Sequence, residues 1–146
     1  MMRVSSEIFE CIVKHTPLVS IDFIIENDGK ILLGKRVNEP AKGYWFTIGG
    51  RIYKNETIKN AQKRILKEEL NYEDEFNPEF IGIFEHFYDT GFNGIETHYV
   101  NIAYKLKNIN LIELPKVQHN EYKWFGLDEL LNAKDVHEYV KQYFRS

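Results

Sequence analysis

The sequence predicts an α/β domain of the α+β type, a mixed β-sheet sandwiched between helices. Three observations carry this. Strand and helix signals mix without the strict alternation that a doubly wound parallel sheet requires. Asp28-Gly29 joins two apolar runs as a tight hairpin turn. A helical pattern around residues 56–70 follows directly on a short strand. At 146 residues the chain is long enough for one core and too short for two, so one domain over residues 1–146 must hold any site.

The elements follow in order. Ile8, Phe9, Ile12 and Val13 interleaved with Glu7, Glu10 and Lys14 make a short amphipathic helix ended by Pro17, rather than the continuous apolar core of a signal peptide. Residues 18–26 and 30–36 form the hairpin strands, and residues 38–43, with Pro40 and Gly43, form a loop. Residues 45–48 are a short strand, Gly49 and Gly50 a tight turn with close backbone approach, and a helix runs from near Glu56 to Leu70. Ile58, Ala61 and Ile65 define its apolar face, Arg64 and Glu68 are i,i+4 neighbours, and Glu69 sits at the edge of that face, where a carboxylate can point into a cleft. Strands at 80–88 and 97–106 flank a Gly-containing loop, 89–96, suited to cover a ligand. Loop-like residues 107–120 precede a last strand at 122–125 and helices at 127–131 and 135–144.

Composition limits the partners. A net charge of −3 disfavours a nucleic-acid backbone as ligand, because such binding needs clustered Lys and Arg, yet it leaves a small phosphate-bearing molecule open. No run reaches membrane-spanning length. Cys11 is the only cysteine, which fits a reducing cytoplasm, and reads as a small apolar core residue. Asp22 interrupts an otherwise apolar strand. It must meet a cation, hydrogen-bond donors or a wet cleft, as a structural acceptor or as part of a pocket shared with Ser20 on the same strand face. Gln118-His119 is either exposed loop surface or a proton-accepting site.

From Gly50, Glu56 falls after five residues and Arg64 after seven more, followed by Leu66 and the pair Glu68-Glu69. This spacing resembles the box of the Nudix hydrolase superfamily, with Ile65 where that box has a carboxylate. Thr16 to Asp22, Leu33 to Arg36, Gly43 to Phe46, Gly49 to Arg51, His86 to Asp89, Thr97 to Val100, Gln118-His119 and Tyr122 to Trp124 together resemble the GDP-mannose mannosyl hydrolase family. That branch also has an apolar residue after the box arginine.

The resemblance implies hydrolysis of GDP-mannose, or related GDP-hexoses such as GDP-glucose, to GDP and free sugar, by water attacking the anomeric carbon with inversion. It implies one Mg²⁺ per site, with Mn²⁺ as substitute, on the Gly49 carbonyl, Glu69, the Gln118 side chain and the diphosphate. It implies His119 as general base, Arg36 on the leaving diphosphate and Asp22 as sugar-side acceptor. Arg51 would add charge near the diphosphate, and Arg64 would hold Glu68 or Glu69. Arg3, Val4 and Phe9 correspond to substrate contacts from an N-terminal helix, which would make sense in a homodimer sharing its sites; the family is dimeric. His86 and Tyr99 fall on strands that could face the nucleotide, with core packing the stronger alternative for Tyr99. Ile48 and Asn71 depart from the common Pro and Gly of the box, and Asn71 should be mild because Asn tolerates the left-handed conformation. Glu68 restores a carboxylate and with it an alternative, the conventional Nudix diphosphatase reaction that cleaves the phosphoanhydride of a nucleoside diphosphate sugar or nucleotide.

Overall fold

In the computed structural model, described for residues 4–115 and 119–145, with backbone only for 119 and 120, the N-terminal helix α1 (Ser6–His15) is capped by the Ser5 hydroxyl and stops before Pro17. Then come β1 (Leu18–Asn27), β2 (Lys30–Arg36), β3 (Trp45–Phe46), β4 (Ile48–Arg51), α2 (Ile58–Leu70), β5 (Glu79–Tyr88), β6 (Thr97–Lys107), β7 (His119–Phe125), α3 (Leu127–Asn132) and α4 (Glu138–Lys141). Two 3-10 turns, Phe92–Gly94 and Gln142–Phe144, complete the described elements.

The sheet is mixed, as expected. Its main path runs β3-β2-β1-β6-β5, with β4 added to β1 and β7 to β2. β1 and β6 are parallel and the other pairs antiparallel. β1 and β2 pair only beside their turn, at Glu26–Ile31 and Asn27–Lys30. Further along, β1 takes β4 as neighbour through residues 20–23, while β2 pairs with β3 and β7. That splay opens the sheet and puts Asp22 directly across from Gly49.

The period-2 alternation of β1 serves two cores. Ile21, Phe23 and Ile25 pack with Ala61, Ile65, Leu66 and Leu70 of α2, whereas Ile24 packs with Leu33, Trp45, Phe125, Leu130 and Val140 on the α3–α4 side. Helices thus cover both faces.

Several expectations are corrected. Ile58 is 44% exposed, because the Thr57 hydroxyl caps α2 one residue earlier and the buried face begins at Ala61. Gly49 and Gly50 are strand residues of β4, not a turn. Cys11 is exposed, on the outward side of α1. The helix expected over 135–144 is shorter because Val136 bridges to Trp45. The Trp45 amide donates to the Asp135 carbonyl and the His137 amide to the Trp45 carbonyl, which takes residues 135–137 out of the helix. His119 opens β7 rather than lying in a loop, with Arg36 as its backbone partner. Asn71 ends α2 at φ 54°, the conformation expected of it.

Candidate active site

The splayed sheet, α2 and α1 enclose a cleft of about 490 Å³. Asp22, Arg36, Gly49, Arg51, Glu69, His86 and Tyr99 all line it, as do Val4 and Phe9. Residues far apart in sequence therefore meet in one cleft. Arg3 and Gln118 lie outside the described residues, as does the side chain of His119. Phe9 reaches the cleft from its own chain, so its presence there needs no second protomer.

The box loop is braced internally. Arg64 grips Glu56 with two bonds, Nε to Oε2 at 2.7 Å and Nη2 to Oε1 at 3.0 Å, and donates to the Arg51 carbonyl at 2.6 Å. The Tyr53 amide adds a bond to Glu56, and these donors, the guanidinium foremost, hold the Glu56 carboxyl below its usual range. Arg64 also reaches Glu68 at 3.3 Å. It is thus spent on structure, and it touches Glu68 as the sequence suggests. The guanidinium of Arg51 lies 4.7 Å from the Phe9 ring centre and 5.1 Å from that of Tyr53, and Phe9 meets Phe92 edge-on at 4.7 Å. This makes an aromatic and cationic wall at the α1 side.

Glu68 and Glu69 open into the same cleft, with Glu69 only 4% exposed. A Cβ on Gly49 would lie 2.4 Å from the Ile21 carbonyl oxygen and 2.5 Å from Asp22 Oδ1, so only glycine permits this strand approach. Under Gly50 sits Ile65, whose Cγ1 would be 3.1 Å from an added Cβ. Ile65 is therefore a core contact of α2 with β4. The two carboxylates here suit a hard divalent cation. Among the described residues no three Asp, Glu, His or Cys side chains cluster as a metal site. Backbone, substrate and water oxygens would have to complete such a shell.

Beside Gly49, Asp22 is buried, and burial pushes its carboxyl up to about 6 despite a hydrogen bond from Tyr143 and the nearby Arg36 charge. His86 is buried and stacked flat on Tyr139 at 4.2 Å, and that burial lowers it to about 4. Gln142 Nε2 lies 2.9 Å from His86 Nε2. An amide nitrogen can only donate, so the neutral ring carries its proton on Nδ1. Tyr143 and Gln142, which contact the cleft residues Asp22 and His86, were missed by the sequence reading. Their signal was a cluster of polar-tipped side chains, Tyr139, Gln142 and Tyr143, within five residues near the end of the chain.

The NUDIX domain family model matches residues 15–145, and the chain belongs to the Nudix family. It is 40% identical over 145 residues to the low-salt glycan biosynthesis protein Agl8 of Haloferax volcanii, covering 97% of this chain and 88% of that protein. It is 49% identical to an ADP-ribose pyrophosphatase of Methanocaldococcus jannaschii over 53 residues, 36% of this chain and 31% of that one. Among solved structures it resembles a MutT NUDIX hydrolase from Burkholderia pseudomallei, with TM-score 0.74 and 25% identity, over 88% of this chain and 96% of the other. The NUDIX domain of Shewanella oneidensis NrtR, complexed with ADP ribose, shares the fold at TM-score 0.68 and 19% identity, over 89% and 87% of the two chains.

Proposed function

We propose that the protein is a Nudix phosphohydrolase acting on a nucleoside diphosphate sugar, and that it cleaves the phosphoanhydride to give a nucleoside monophosphate and a sugar phosphate. The observation that carries this reading is the convergence of Glu68 and Glu69 with Arg36 and Arg51 in one cleft. The two arginines hold the diphosphate charges, and the aromatic wall of Phe9, Tyr53 and Phe92 takes the nucleoside side. Glu68, held by Arg64, accepts the proton of a water attacking phosphorus in this reading. Mg²⁺ bound by Glu69 and the Gly49 carbonyl would neutralise the leaving phosphate oxygens. Similarity to an ADP-ribose pyrophosphatase of Methanocaldococcus and to a glycan biosynthesis protein of Haloferax supports a sugar-bearing diphosphate.

A second reading is GDP-mannose hydrolysis at the anomeric carbon, giving GDP and free mannose. One observation favours it. The backbone of His119 pairs with Arg36, which brings the start of β7 to the cleft, while Ile65 fills the core where a box carboxylate would stand. Incubation of the Mg²⁺-supplemented protein with a panel of GDP-, UDP- and ADP-linked sugars, resolved by ³¹P NMR, decides between them. Paired monophosphate signals are expected; a nucleoside diphosphate accompanied by a hexose without phosphate would transfer the assignment to the second reading.

A further inference from the structure

Asp22 ends a one-way chain of hydrogen bonds. The Ser20 hydroxyl donates to Asn101 Oδ1 at 2.7 Å, and Asn101 Nδ2 donates to the Tyr143 hydroxyl oxygen at 2.6 Å. The Tyr143 hydroxyl then donates to Asp22 Oδ2 at 2.5 Å. A second acceptor, His86 Nε2, stands 3.4 Å from that hydroxyl, but Gln142 already donates to it. The tyrosine proton is thus directed to Asp22. Ser20, Asn101 and Asp22 are all buried, and low exposure strengthens such a chain. With Oδ2 turned toward Tyr143, Oδ1 lies on the Gly49 side, and Asp22 itself lines the cleft.

We propose that Tyr143 is a positioning residue for specificity: it fixes the Asp22 carboxylate with one oxygen presented to the cleft, so that the site selects a diphosphate ending in a neutral, hydroxyl-bearing group over one ending in a further phosphate. The inference rests on the nucleoside diphosphate sugar reading above and adds the element that would enforce it. A carboxylate accepts a sugar hydroxyl readily, whereas a terminal phosphate in the same place sets like charges against each other in a partly desolvated pocket. The tyrosine comes from the last turn of the described chain, remote from the box, and acts through Asp22 without needing to touch substrate.

Tyr143→Phe removes the hydroxyl and keeps the ring edge against Phe84 at 4.8 Å. The test compares kcat/KM for a nucleoside diphosphate hexose with that for the triphosphate of the same base, in wild type and in this variant. The selectivity ratio is expected to fall about tenfold, the scale of one well-placed hydrogen bond to a charged group, through a raised KM for the sugar substrate at nearly constant kcat. Asp22→Asn, which keeps the shape and removes the charge, is expected to raise the triphosphate's relative rate. If both substrates slow in parallel in Tyr143→Phe, or if Asp22→Asn leaves the ratio unchanged, Tyr143 and Asp22 do not set specificity and the inference is overturned alone. A wild type that prefers the triphosphate would overturn the nucleoside diphosphate sugar reading and this inference together.

Discussion

Asp22 and His86 sit within one hydrogen-bonded neighbourhood but load stability in opposite directions. Burial raises Asp22 from 3.8 to about 6, so its contribution to stability is full below pH 3.8 and is lost as pH rises through about 6. His86 falls from 6.5 to about 4, so its contribution is full above 6.5 and is lost as pH falls through about 4. Each shift corresponds to about 3 kcal/mol. Between pH 4 and 6.5 the two nearly cancel, and the wild type should be nearly flat there in chelator-containing buffer. Asp22→Asn unmasks the histidine, and its unfolding free energy should climb by about 3 kcal/mol from pH 4 to 6.5 in urea titrations. His86→Gln should show the reverse slope. Parallel curves for wild type and Asp22→Asn would contradict burial as the cause.

At the scale of elements, α2 holds the site because both of its ends are fixed. The Thr57 hydroxyl accepts from the Asn60 amide at 3.1 Å, and Asn71 ends the helix in the left-handed region while its amide bonds the Lys67 carbonyl at 3.0 Å. Glu68 and Glu69 occupy the last turn, so fraying there would move both carboxylates. Asn71→Gly should leave stability nearly unchanged, and Asn71→Ala should cost about 1 kcal/mol by thermal or urea unfolding. Equal effects from the two would mean that the backbone conformation at 71 is not what the Asn serves. Gly49 illustrates how sequence and element can agree in part. Of the tight turn and close backbone approach read from Gly-Gly, the turn is replaced by strand β4, while the close approach stands, because the β1 backbone passes too near for a side chain.

For the molecule as a whole, what could be read from sequence was what local chemistry dictates. The hairpin, the α2 box, the alternation of β1 and the buried charge of Asp22 each follow from neighbours a few residues away. Asp22, Arg36, Gly49, Arg51, Glu69, His86 and Tyr99, singled out by the box and its resemblance, line one cleft, whereas Glu56 braces Arg64 and Leu66 lies in the core. What stayed hidden depends on contacts between distant segments. Tyr143 meets Asp22 across 121 residues of sequence, and Val136 leaves its helix because Trp45 offers it a bridge. The outward turn of Cys11 and Ile58 depends on where their helices begin and dock, which periodicity over so few residues cannot fix. The central claim is that Glu68 and Glu69, sharing a cleft with Arg36 and Arg51, direct water to phosphorus in a nucleoside diphosphate sugar. Its most direct test is hydrolysis of GDP-mannose in ¹⁸O-labelled water with mass analysis of every product. The account predicts the label in a phosphate group of GMP or mannose phosphate; label in free mannose, beside unlabelled GDP, would contradict it.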